Sequence, residues 1–227
     1  ANGSGNSITV DNGGRFVCKS YLRAAMNAAQ HSNHVTVRGA GSVCEIADYV
    51  RLGENGDQTR LDIEDGGTFI GHSHIYVGYN SGSTDNIVRI ADGTLLLTNG
   101  LNTATLQVRR GDVEVDGANG SIEVDRLDLA HTSASKLSIT AGYGGVTTIF
   151  VNDVFTIDSS TEIEVDVSAE GFSGDVVLVD YGSKSGDFDE ANNLTVTGNR
   201  VPWTFTENNG NNQMVLHLAT GSMITIQ

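Results

Sequence analysis

Four lines of the chain superimpose on one another. SITVDNGGRFV begins at Ser7, HVTVRGAGSV at His34, RLDIEDGGTFI at Arg60 and NIVRIADGTLL at Asn86. In each, an apolar residue (Val10, Val37, Ile63, Ile90) precedes a glycine (Gly14, Gly41, Gly67, Gly93). A second apolar residue (Phe16, Val43, Phe69, Leu95) follows two positions after that glycine. Successive lines are spaced by 26 or 27 residues. A second landmark keeps step, VRLGENG from Val50 and IYVGYNSG from Ile75. A unit of this length is too short to close a core, so neighbouring copies must close it together by stacking.

Within each line, apolar and polar residues alternate with period two, as in ITV, LDI, VEV, IEV and LSI. That alternation marks strands with one buried and one wet face. Glycine is abundant at 28 residues while proline occurs once, at Pro202, a balance that suits tight turns between strands and not a disordered linker. The fold class expected is all-β, a right-handed parallel β-helix (β-solenoid) of about 26-residue coils, forming a single domain over residues 1–227. Eight or nine coils at ~4.8 Å each would make a rod on the order of 40 Å long.

The period is most regular over 31–105, loosens over 106–135 through LQVRRGDVEVDG and SIEVDRLDLA, and returns over 136–227 with KLSITAGYGG and EIEVDVS. The alternative for the C-terminal half is a β-sandwich or jelly roll. One segment breaks the strand pattern. CKSYLRAAMNAAQ, residues 18–30, is rich in helix formers and Ser20 could cap its start, so a short N-terminal capping helix over the open end of the stack is expected.

Thirteen lysines and arginines against 28 carboxylates give a net charge of −15. Such a chain repels nucleic acid and anionic membranes. No apolar run approaches the roughly 20 residues that span a bilayer. The opening ANGSGNS is what cleavage behind a small-residue site would leave, which fits a secreted chain.

The stretch from Val154 to Gly198, VFTIDSSTEIEVDVSAEGFSGDVVLVDYGSKSGDFDEANNLTVTG, follows upstream coils of the type SITVDNGG and IYVGYNSG. In this patterning the chain resembles the secreted solenoid passengers of autotransporter-like and surface-sorted proteins of environmental bacteria. The resemblance implies an extracellular or cell-surface location and a role in adhesion, surface layers or matrix.

The candidate sites are few. His72 and His74 stand two apart, which on a strand places both side chains on one face. A metal would need further ligands, and Asp62, Glu64 and Asp65 belong to another side of the coil. Asp112, Glu114, Asp116, Glu123, Asp125 and Asp128 alternate with apolar residues and read as a solvated acidic face. Stacked carboxylates of this kind would also suit Ca2+, the one cofactor the chain suggests. An ice-binding face needs a threonine column, and the outward positions Thr9, Thr36, Asp62, Arg89 break it at the third coil.

Cys18 and Cys44 lie 26 residues apart, one repeat length, and slip by one against their glycines. The helical insertion absorbs that slip, and a Cys18–Cys44 disulfide tying the cap to the second coil is expected. Sequons stand at Asn2, Asn119 and Asn193.

No catalytic signature is present: no Gly-x-Ser-x-Gly elbow, phosphate loop or paired CxxC. These readings point to a non-enzymatic structural or adhesive solenoid that self-associates into filaments or layers, as a homo-oligomer or polymer, with glycans or other surface proteins as further partners. Two other classes stay open. A polysaccharide lyase or hydrolase would line a groove with Arg109, Arg110 or Lys136 and clustered carboxylates. A glycan-binding module would expose Tyr76, Tyr79 or Trp203 on one face.

Overall fold

The computed structural model describes residues 3–130, 135–169, 174–198, 202–207 and 210–219, and over them the chain is a parallel β-solenoid. Asn2 lies outside the described residues. The first face is an eight-stranded sheet, stacked in the order β1 (Ser7–Val10), β4 (His34–Arg38), β7 (Arg60–Glu64), β10 (Asn86–Ala91), β13 (Gly111–Asp116), β15 (Ser135–Thr140), β17 (Glu162–Asp166) and β19 (Leu194–Thr197). About seven turns therefore separate its first strand from its last.

The second face stacks β2 (Arg15–Cys18), β5 (Val43–Ile46), β8 (Thr68–Gly71) and β11 (Thr94–Leu97). The third stacks β3 (Leu22–Arg23), β6 (Val50–Leu52), β9 (Ile75–Val77) and β12 (Thr105–Val108). The longer strands β14 (Ser121–Asp128) and β16 (Ile149–Thr156) run through both of these faces and join them into one sheet.

The alternation seen in the sequence sorts residues in and out. Val10, Val37, Ile63, Ile90, Val115, Ile139 and Val165 form one inward column of the first face, in register and almost wholly buried. Phe69 and Phe155 are the largest fully buried side chains. Burying a side chain of this size is worth ~1.5–3 kcal/mol, repeated at each rung.

The repeat glycines have a steric cause. A Cβ at Gly67 would strike the carbonyl of Val37, and one at Gly93 would lie 2.6 Å from the carbonyl oxygen of Ile63. The chain of one coil passes directly over the backbone of the previous one at this corner, so only glycine fits.

Three sequence expectations are corrected here. Residues 18–30 are not a helix: Cys18 ends β2, Leu22 and Arg23 form β3, and the remainder is an irregular loop with Ala25 at a φ of 53°. Leu22 pairs in register with Val50 of the next coil, so stacking overrides the helix propensity of the alanines. The segment lies within the first coil, hydrogen-bonded to residues 51–56, and does not cover its open end. The described residues contain one short helix, α1 (Glu190–Asn193).

The second correction concerns the second coil. Arg15 pairs with Val43, and Phe16 with Cys44, so Ser42 stands where coils one, three, four and five have Gly14, Gly67, Gly93 and Gly120. The corner Gly39–Ser42 is one residue longer, and the inward position falls to Cys44, not Val43.

Third, the loosened period after Leu106 is a difference in corner length and not a break in the stack. Coil four spends residues 98–104 between its second and third faces, whereas β14 turns the same corner with a bulge at Asp125. The first face runs on through β15, β17 and β19, so the C-terminal half is solenoid and not a separate sandwich. Among the described strands, antiparallel ladders lie at the last sheet edge. There β18 (Gly174–Ser185) pairs with β21 (Gln213–Leu218), and β21 with β20 (Trp203–Thr206).

Polar groups buried at the corners are matched to the coil below. Asn86 Oδ1 accepts from the Thr59 amide at 3.0 Å, Ser135 donates to the Val108 carbonyl at 2.8 Å, and Thr161 donates to the Leu129 carbonyl at 3.1 Å. Asp125, 1% exposed, accepts the Asn99 and Ala104 amides at 2.8 and 3.2 Å, fastening the loop of coil four.

Candidate functional site

The third face carries an arrangement unlike the others. Leu22, Val50 and Ile75 point inward in register, so the residues flanking them point out. On one side these are Tyr21, Tyr49 and His74, and on the other Arg23, Arg51 and Tyr76. Tyr79 and Arg109 extend the set from the corners that follow β9 and β12.

The rings of Tyr21 and Tyr49 stack at 5.1 Å with their planes 5° apart. The Arg51 guanidinium lies over Tyr49 at 4.6 Å and over Tyr79 at 3.8 Å. Arg109 lies over Tyr79 at 4.5 Å and Tyr76 at 5.0 Å, and those two rings meet edge to face at 5.1 Å. The result is a ladder of alternating rings and guanidinium groups across the first four coils. Each desolvated cation–π contact contributes on the order of 0.5–2 kcal/mol.

Glu54 anchors the ladder from below. Its side chain, 8% exposed, is paired with Arg23 and with Arg51, the latter at 2.9 Å. Burial pushes this carboxyl up, but the two guanidinium groups outweigh it and hold Glu54 below the ordinary glutamate range. The Arg51 Nε is buried with no hydrogen-bond partner among the described residues. Tyr21 at the start of the ladder is 48% exposed.

Of the basic residues singled out in the sequence, only Arg109 belongs to this ladder, where it also donates to Gln107 at 2.8 Å. Arg110 starts the turn into β13. Lys136 is on the first face, in register between Asp112 and Glu162 and 2.5 Å from Glu164. It lines a polar cavity of about 220 Å3 with Glu162, Glu164, Asn192, Asn193 and Thr195. The three basic residues thus do not share one groove.

Tyr76 and Tyr79 do share a face, whereas Trp203 lies half-buried on β20 beside a cavity of about 180 Å3.

The acidic face is also corrected. Its columns alternate in sign, with Arg89 between Asp62 and Glu114, and Lys136 between Asp112 and Glu162. Arg89 reaches Asp116 at 2.7 Å, and Arg60 reaches Glu114 at 3.2 Å. Opposite charges in adjacent strands offset the repulsion that stacked carboxylates would meet. Among the described residues no three histidine, cysteine, aspartate or glutamate side chains converge as a metal set.

His72 and His74 are not on a strand but in the corner between β8 and β9, and they separate. His72 faces Glu45 at 3.3 Å, while His74 tilts against Tyr76 at 5.5 Å. Burial, with the charge of Arg126, pushes His74 below the ordinary histidine range.

Cys18 and Cys44 are free thiols. The register pairs Cys18 with Ile46 and Cys44 with Phe16, so the cysteines are diagonal and not opposed. Diagonal neighbours sit on the order of 7–8 Å apart, longer than a disulfide prefers. Burial pushes the Cys44 thiol up to about 12.

Tyr21, Arg23, Tyr49, Arg51 and Glu54 were not singled out by sequence reasoning. The signal was present as YLR at Tyr21 and YVR at Tyr49, 28 residues apart and one rung apart in the fold. The first copy was hidden inside the expected helix. The chain matches no protein-family model, no curated protein and no solved structure, so its function rests on this geometry.

Proposed function

We propose that the chain is a structural or adhesive β-solenoid of the cell exterior that works through its surface and by associating with further copies of itself. One observation carries the reading: outward side chains link each coil to the next in ladders, rather than converging on a cleft. The aromatic and arginine residues of the third face and the ion pairs of the first face both run along the stack. The extracellular location and adhesive role rest on the resemblance to secreted solenoid passengers.

A catalytic reading is less well supported, because Lys136 is held by Glu164 and stands on a different face from Arg109. Glycan stacking would have to compete with the guanidinium groups at 3.8 and 4.5 Å from the Tyr79 ring. Electron microscopy of the purified chain with and without calcium tests the proposal. Elongated or layered assemblies are expected, and monomers alone under both conditions would contradict it.

A further inference from the structure

The charge of −15 is not spread along the rod. Residues 1–110 hold nine lysines and arginines against ten carboxylates, whereas residues 111–227 hold four against eighteen. The division falls at the first residue of β13. The first four coils are therefore close to neutral, and the later coils carry nearly all of the charge.

The neutral half holds the arginine and tyrosine ladder, with Tyr21 at 48% exposure on its outer end. The acidic half presents Asp112, Glu114 and Asp116 on β13 and Glu162, Glu164 and Asp166 on β17, all pointing outward from the first face. Arg60, Arg89 and Lys136 pair with Glu114, Asp116 and Glu164, so the face keeps a carboxylate excess without being bare of cations. Within the near-neutral half the ladder itself sets Arg23, Arg51 and Arg109 against Glu54, so it is locally cationic and complements the acidic face at a different height and on a different side of the molecule.

We propose that copies of the chain dock through these two surfaces, the ladder of one lying against the first-face carboxylates of the next. This rests on the self-association reading above and names its interface. Tyrosine and arginine are, with tryptophan, the side chains enriched at the energetic centres of protein interfaces. Guanidinium groups and carboxylates also give the contact its polarity and register.

Two whole copies repel each other at long range, because each carries −15. At physiological ionic strength that repulsion is screened beyond ~8 Å, while contacts in the interface are screened less. The centres of the two surfaces are about three coils apart, on the order of 15 Å along the axis. Contact between unlike patches leaves one ladder and one acidic face unoccupied at the ends of every pair, so growth continues as a staggered filament. A symmetric dimer would use the same patch twice and stop.

Sedimentation velocity on the full chain tests this at about 0.15 M NaCl. The ladder variant combines Tyr21→Ala with Arg109→Gln, and the acidic variant combines Glu162→Gln with Asp166→Asn. Circular dichroism and the unfolding midpoint establish that both remain folded. Wild type is expected to grow beyond the dimer, and each variant alone to associate about tenfold more weakly or less.

An equimolar mixture of the two variants should recover association but stop at one-to-one pairs, since only one intact ladder and one intact acidic face can meet. If both variants assemble like wild type, self-association stands and this interface is wrong. If each variant is impaired but the mixture shows no recovery, the unlike-patch contact is overturned. Wild type that stays monomeric from about 0.01 to 1 M NaCl overturns the interface and the self-association reading together.

Discussion

The coils before Gly111 and the coils after it share an interior and differ in their surface. Inward columns of valine, isoleucine, leucine and phenylalanine run through both halves without a change of register on the first face. Outside, the early coils are zipped by rings and guanidinium groups and are nearly neutral, while the later coils are strongly acidic. In a solenoid the two sides of a strand answer to different demands. The inner side must repeat or the stack fails, whereas the outer side is free to vary coil by coil.

The shared interior predicts the largest and most even effects. Phe69→Ala in the early coils and Phe155→Ala in the later ones remove side chains of 0% exposure. Each should cost about 3–5 kcal/mol by urea unfolding. A markedly smaller loss in one half would mean that its core is less tightly stacked.

The surfaces should respond unequally to loss of one carboxylate. Glu54→Gln strands Arg23 and Arg51 beside each other in a largely buried site and should cost about 2–3 kcal/mol. Glu164→Gln removes the partner of Lys136 at a more exposed position, and should cost about 1 kcal/mol or less. Equal losses would erase the distinction between the two surfaces.

Acid should act in opposite directions at Asp112 and at Glu54. Burial pushes Asp112 above its ordinary 3.8, Lys136 opposes this, and Glu114, Asp85 and Glu162 add to it. The folded chain then binds this proton more tightly than the unfolded chain, so stability at coil five rises as the pH falls toward 3.8. Glu54 is held below 4.5, so the unfolded chain binds its proton more tightly and the early coils lose stability as the pH falls below that value. Hydrogen exchange read by mass spectrometry, corrected for intrinsic rates, should show protection rising around Asp112 before it falls around Glu54. A uniform loss of protection around both residues would contradict these assignments.

The smallest effect concerns the thiols. With Cys18 and Cys44 unbonded, a reducing agent should leave the unfolding midpoint unchanged. A destabilisation of about 2–4 kcal/mol on reduction would reveal a bridge.

The inner side of the fold was legible in the sequence and the outer side much less so. Alternation identified the stack because every coil must turn one side of its strands inward, and the repeated glycines did so because several coils make the same close approach at one corner, such as Gly67 over Val37. Local composition misled where stacking outweighed it. The alanines after Cys18 favour a helix in isolation, yet Leu22 gains more by pairing with Val50. The one-residue slip at Gly39–Ser42 was visible as spacing, but which residue turned inward was decided by the corner of the second coil. The ladder was hardest to read, because Tyr79 and Arg109 join it from corners and share no strand period with Tyr21.

The most direct test of the unlike-surface contact is a photo-crosslinker placed at Tyr21 of the full chain, activated in the assembled state and mapped by mass spectrometry. Intermolecular crosslinks to peptides from residues 111–166 of a neighbouring copy are expected. Crosslinks confined to residues 1–60 of the neighbour would mean that like surfaces meet, and would contradict that contact.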